Sequence, residues 1–137
     1  MRPTMVAMIE YHLDQRSGVA TYLQIVQQTK EALRLGVLDV GDQLPTVREV
    51  VAVLVINPNT VAKAYRELER EGLVVAQQGR GTFVASTLAS PSLEYHQTLR
   101  RELEEWLSAA ERAGLDEESV RALISTTLRE AFARRVA

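Results

Sequence analysis

The chain has 137 residues, a hydrophobic fraction of 46%, a formal net charge of -2 and no cysteine. Its length fits one domain, or one small domain with an appendage, and the missing cysteines exclude disulfides and thiolate metal sites. No apolar run approaches the ~18 residues of a membrane span, and Met1 to Ala20 lacks the charged start and apolar core of a signal peptide, so a cytoplasmic protein without a membrane partner is expected. Charge is unevenly spread: Tyr22 to Ala85 holds seven basic and seven acidic residues, whereas Pro91 onward holds seven arginines and nine acids. The excess acid therefore lies in the tail, and a neutral total argues against tight binding to nucleic acid irrespective of sequence.

In chain order, Ile9, Tyr11 and Leu13 alternate with Glu10, His12 and Asp14. A period of two predicts a short strand or an extended arm, within an N-terminal segment 1–21. Tyr22 to Leu35 has helical spacing, with Gly36 placed to end it. A loop with Gly41 and Asp42 follows, and Thr46 to Leu54 forms a second helix. Thr46 with Glu49 three residues on is a capping box. After a turn at Val55-Ile56, Asn57-Pro58 opens a third helix: asparagine caps orphan amides, and proline suits the first helical position. Val61, Ala64, Tyr65 and Leu68 share its inward face, and Gly72 closes it. Leu73–Gln77 and Thr82–Ala85 are β-rich runs around a hairpin tip, Gln78-Gly79-Arg80-Gly81.

This order predicts a mainly α fold with a small β wing: a winged helix-turn-helix over 22–85, then a helical region over 86–137. Ser86–Ser90 reads as a linker, and Ser90-Pro91 opens a fourth helix that ends at Gly114. Asp116 caps a fifth, with Val120, Leu123, Ile124, Leu128 and Phe132 on its inward face. Leu99, Leu103, Trp106, Leu107 and Ala110 line the fourth. Two helices in a hairpin bury one side of each, and leaving Trp106 and Phe132 in water costs several kcal/mol at ~25 cal/mol per Å². The hairpin either folds back on its own winged domain or, the preferred reading, pairs with a second chain in a small helical bundle. Leu99, Leu103, Trp106, Leu107, Leu123, Leu128 and Phe132 are its expected dimer interface.

A helix-turn-helix places the N-terminal end of its second helix in the major groove of DNA. Asn59 and Thr60 stand there as short polar side chains able to bond base edges or phosphates; Asn57 can do the same or act as a cap. Lys63 continues the outward face as a phosphate contact, and Arg66 and Arg70 extend it, with pairing to glutamates as their alternative role. Arg48 can reach a guanine or a phosphate in the fork geometry that lysine lacks. Thr46 sits at a helix N-terminus, a natural phosphate site. Arg80 at the wing tip can enter the minor groove or touch the backbone, and Gly79 and Gly81 permit close approach.

These residues resemble a known family. Tyr22-Leu23-Gln24-Ile25, Gly41-Asp42-Gln43-Leu44-Pro45-Thr46-Val47-Arg48-Glu49, Asn57-Pro58-Asn59-Thr60-Val61-Ala62-Lys63-Ala64-Tyr65, Glu71-Gly72-Leu73 and Gly79-Arg80-Gly81-Thr82-Phe83-Val84 are similar to the GntR family of bacterial transcription regulators. The short two-helix tail resembles its YtrA subfamily. The resemblance implies a homodimeric repressor of a palindromic operator, often one controlling a neighbouring transport operon, with DNA contacts at Thr46, Arg48, Asn57, Asn59, Thr60, Lys63, Gly79 and Arg80. Two positions depart from it: Ala20 replaces a frequent proline, and Val55 replaces the usual glycine of the helix-helix turn. A β-branched residue resists positive φ, so either that turn takes another conformation or it is strained.

An enzyme is the weaker reading. His12 and His96 are the two histidines, each expected to be exposed and structural, and no catalytic triad, metal cluster or phosphate loop is present in the sequence. No cofactor is implied. The alternative to a DNA-binding regulator is a winged-helix interaction module for protein or RNA. The expected mechanism is occlusion of an operator by a two-fold dimer. A small-molecule effector would act at the dimer interface or between tail and winged domain, shifting the spacing of the reading heads.

Overall fold

The computed structural model describes residues 9–89 and 93–136 and divides into two compact units, with the boundary at Leu93. The first carries helices α1 (Thr21–Arg34), α2 (Val47–Leu54) and α3 (Pro58–Arg70) and a two-stranded antiparallel sheet, β1 (Val74–Gln77) and β2 (Gly81–Val84). The second carries α4 (Leu93–Arg112) and α5 (Glu117–Val136). The Ser90-Pro91 start expected for the fourth helix lies outside the described residues.

The core of the first unit forms because each helix turns one apolar stripe inward. Ile25, Val26 and Leu33 of α1, Val50 of α2, and Val61, Ala64, Tyr65 and Leu68 of α3 are buried together with Leu38, Leu44, Leu73, Val74 and Val84. The capping box at the head of α2 is complete: Thr46 Oγ1 accepts from the Glu49 amide at 3.1 Å, and the Glu49 carboxylate accepts from Thr46. At α3, Asn57 Oδ1 accepts from the Asn59 amide at 2.9 Å, with Pro58 in the first turn. The far end of α3 closes with paired bonds, Leu73 N–H to Leu68 O and Gly72 N–H to Glu69 O. That motif needs the left-handed backbone Gly72 supplies at φ 78°.

The alternating segment before α1 is extended but enters no strand. Two glutamines of α1 take the place of a strand partner. Gln28 bonds both the amide and the carbonyl of His12, at 2.8 and 2.6 Å, and Gln24 does the same for Asp14, at 2.8 and 2.9 Å. Tyr11 is thereby held in the core, where its hydroxyl meets Thr29 Oγ1 at 2.9 Å. Ile9 and Leu13 pack against the same core, and so does Leu88 of the expected linker.

The strand register is Val74↔Val84, Val75↔Phe83, Ala76↔Thr82 and Gln77↔Gly81. The loop before α2 joins the free edge of β2 through a bridge between Gln43 and Phe83 and through the Leu44 amide, which donates to Thr82 O at 2.8 Å. The wing is thus anchored at its base to the segment that leads into α2.

The tail hairpin leaves the residues expected at its pairing surface exposed in a single chain. Among its described residues Ala110 is buried and Val120 and Ile124 are half-buried, while Leu123, Leu128 and Phe132, assigned to an inward face, stand 45%, 52% and 57% exposed. Leu99, Leu103, Trp106 and Leu107 of α4 are exposed as well. Each helix has one neighbour within the unit, so a second apolar stripe has nothing to pack against. His96 is half-buried rather than exposed.

Candidate nucleic-acid interface

The candidate surface is built from three places in the first unit: the first turn of α2, the first two turns of α3 and the tip of the wing. The α2–α3 pair is fixed from within. The Tyr65 hydroxyl of α3 donates to the Pro45 carbonyl at 2.6 Å, which pins α3 to the residue that precedes the α2 cap. Burial raises the Tyr65 phenol far above its ordinary range, and the neighbouring Tyr11 reinforces the shift, so this donor stays protonated. Lys30 of α1 pairs with Glu71 at the end of α3 at 2.7 Å.

On this frame the predicted residues fall into two groups. Thr46 and Asn57 are committed to the backbone. The Thr46 hydroxyl accepts from the Glu49 amide and donates to the Glu49 carboxylate at 3.0 Å, and the Asn57 carbonyl oxygen caps α3. In Asn57 only the amide nitrogen is left to reach outward. Arg48, Asn59, Lys63, Arg66, Gly79 and Arg80 are exposed, and Thr60 is half-buried. Among the described residues, neither Arg48 nor Arg66 takes part in an ion pair. Arg70 does: its Nε donates to Glu67 at 3.0 Å, and the contact holds the Glu67 carboxyl below the usual range. Arg70 therefore takes the pairing role that the sequence left open, while Arg66 keeps an uncommitted guanidinium.

Two cations are aimed by aromatic rings. Lys63 Nζ sits 4.0 Å from the centroid of the Tyr22 ring, and the Arg80 guanidinium lies 5.9 Å from that of Phe83. A ring face attracts a cation without neutralising it, by roughly 0.5–1 kcal/mol at an exposed site, so each charge is oriented yet still available to an anion. Periodicity places Tyr22 and Phe83 in the fold and carries no sign of these second roles, which depend on contacts between α1 and α3 and across the hairpin. Gln43 was likewise unmarked; it reaches the wing tip from 37 positions away in sequence.

The surface so described has the layout of a DNA-reading head: a recognition helix opening on short polar side chains, uncommitted cations beside it, and a basic wing. The profile of the family described as "Bacterial regulatory proteins, gntR family" matches residues 21–84. Over 109 residues the chain is 40% identical to the HTH-type transcriptional repressor YtrA of Bacillus subtilis, covering 79% of this chain and 84% of that protein. The chain belongs to the GntR family. Among solved structures it is similar to YtrA from Sulfolobus acidocaldarius, a GntR-family transcription factor (34% identity, TM-score 0.53, covering 72% of this chain and 97% of the other). It is also similar to a transcriptional antiterminator from Listeria monocytogenes (33% identity, TM-score 0.56, covering 87% and 90%). This GntR-family chain is accordingly a DNA-binding transcription regulator with a winged helix-turn-helix.

The hairpin holds a groove of about 400 Å³ between α4 and α5, lined by Leu103, Trp106, Leu123, Ile124, Thr127, Leu128 and Ala131. Among the described residues no group of three or more His, Asp or Glu side chains could hold a metal ion, and no helix is long and apolar enough to cross a membrane.

Proposed function

We propose that the chain is a cytoplasmic transcriptional repressor that binds a palindromic operator as a homodimer. The observation that carries the DNA contact is the set of polar and cationic side chains at the heads of α2 and α3 and at the wing, namely the exposed Arg48, Asn59, Lys63, Arg66 and Arg80 and the half-buried Thr60. Asn59 and Thr60 read base edges from the first turn of α3, Arg48 reads a guanine or grips a phosphate, and Lys63, Arg66 and Arg80 contact the backbone. Thr46, Asn57 and Gly79 contribute through the helix heads and the close approach of the wing.

The homodimer is supported by the hairpin, in which Leu99, Leu103, Trp106, Leu107, Leu123, Leu128 and Phe132 remain exposed in a single chain. A second copy would cover the open groove and set two reading heads on successive major-groove faces, about one helical turn apart. Occupying the operator would then exclude the transcription machinery. The Bacillus subtilis relative is named a repressor, which favours this outcome over activation. The groove lining is almost wholly apolar, so it suits another hairpin better than a polar metabolite; an effector would act by changing how the two copies are spaced.

The test is selection of a duplex from a random-sequence library, followed by binding of variants to it. Arg48→Ala and Asn59→Ala should each weaken binding by roughly five- to a hundredfold, with Asn59→Ala also relaxing the sequence preference. Affinity should fall steeply with salt. Selection that yields no shared, two-fold symmetric sequence would refute the reading. Tighter binding to structured RNA than to any duplex would favour an RNA-binding module instead.

A further inference from the structure

The wing of this protein is held at its tip as well as at its base. The hairpin loop spans three residues, Gln78, Gly79 and Arg80, and closes with the Arg80 amide bonded to Gln77 O at 2.9 Å. Such a loop on a two-stranded hairpin is ordinarily free to swing, because few contacts reach it. Here Gln43, in the loop before α2, extends its side chain along β2 and donates from Nε2 to the Arg80 carbonyl at 3.1 Å.

Two further observations show that this contact is built in. The Gln43 backbone forms the bridge to Phe83, the residue whose ring carries the Arg80 guanidinium. One residue therefore touches both the backbone of Arg80 and the strand position that orients its charge. Beside it, Gly81 has φ +126°, and a Cβ there would lie 2.5 Å from Gln43 Nε2. The glycine supplies both the backbone angle and the space through which the glutamine passes.

We propose that Gln43 is a positioning residue for DNA recognition: it clamps the wing tip so that Arg80 is presented at a fixed height and angle relative to α2 and α3. The inference rests on the reading above in which Arg80 contacts DNA. Its physical content is pre-organisation. A tip that is already ordered loses less freedom on binding, so the Arg80 contact contributes more of its strength to affinity. Gln43 need not touch DNA to have this effect.

The experiment is a double-mutant cycle between Gln43→Met and Arg80→Ala in the full chain, using the duplex selected by the unsubstituted protein. Methionine keeps the length of the side chain and removes the donor. Alone, Gln43→Met should weaken binding roughly three- to tenfold, the range set by one hydrogen bond. In the Arg80→Ala background it should change binding by less than about twofold, because the group it positions is gone. Amide hydrogen exchange at Gly79, Arg80 and Gly81 should quicken in Gln43→Met, with the exchange of α1 and α3 unchanged, which separates a loosened tip from a destabilised unit. Equal losses in both backgrounds, or tip amides that exchange as before, would overturn the role of Gln43 alone. Arg80→Ala that binds like the unsubstituted chain would overturn the wing contact itself, and the positioning role with it.

Discussion

The two units use the same residue type in opposite ways. Leu33, Leu38, Leu44 and Leu68 of the winged unit are essentially inaccessible, while Leu99, Leu103 and Leu128 of the hairpin are about half exposed or more. The difference follows from the number of packed layers. Three helices and a sheet can surround a side chain, whereas two antiparallel helices leave the outer part of each apolar stripe in water. The winged unit therefore closes its core within one chain, and the hairpin by itself leaves apolar stripes open.

The contrast would be broken most directly by truncating one leucine from the complete core. Leu68→Ala, at a fully buried position, should destabilise the winged unit by about 3 kcal/mol. Trp106 lies in the hairpin, so its fluorescence follows the tail; amide exchange of α1 and α3 is the suitable probe. Protection there that survives Leu68→Ala unchanged would mean the unit is not the self-contained core described.

The reverse experiment charges the hairpin. Leu103→Glu combined with Leu128→Glu places carboxylates in the lining of the open groove. Copies of the chain should separate, observed as a monomer in sedimentation, and affinity for a two-fold site should drop by ~100-fold as the linked second half-site is lost. Exchange of α1 and α3 amides should stay as it was. A charged variant that still sediments as a dimer would place the pairing surface elsewhere.

What sequence reveals follows the same division. The apolar stripes of α1, α2 and α3, both helix caps and the hairpin all follow from local rules, because each is decided within a few residues of itself. Three features lay beyond those rules. The alternation of Ile9, Tyr11 and Leu13 reads as a short strand or an extended arm, because it gives the period but not the partner; the segment is extended, and its partner is a pair of glutamine side chains on a helix. In the tail, periodicity marks an apolar stripe as inward without indicating whether a third element exists to cover it. Of the candidate site, the exposed residues at the helix heads were legible, as was the commitment of Thr46 to its capping box; the rings beneath Lys63 and Arg80 and the reach of Gln43 were not, since each is fixed by a contact outside its own helix or turn. Thr46→Ala probes that commitment. Losing the cap should cost about 1 kcal/mol in the winged unit, and a variant of unchanged stability would free Thr46 for a role on DNA alone.

The smallest expected effect sits at the junction of α2 and α3. Val55 ends α2 at φ 53° and ψ 56°, the left-handed region, and is 86% exposed. Of the two outcomes open from sequence, the turn keeps the left-handed conformation and valine bears the strain. That conformation costs a β-branched residue roughly 1–2 kcal/mol, and the exposed side chain recovers almost nothing by burial. Glycine removes the strain but adds freedom to the unfolded chain, an opposing term of about 0.5–1 kcal/mol. Val55→Gly should therefore stabilise the winged unit by about 0.5–1 kcal/mol and raise its Tm by a few degrees, measured on the same amides used for Leu68→Ala. The Val55 amide already bonds Val51 O at 2.9 Å, and glycine preserves that bond, so the angle between α2 and α3 should not change and DNA affinity should stay within about twofold. A stabilised variant that binds less tightly would instead show that the strain at Val55 is used, holding the turn short of an arrangement it would otherwise relax into.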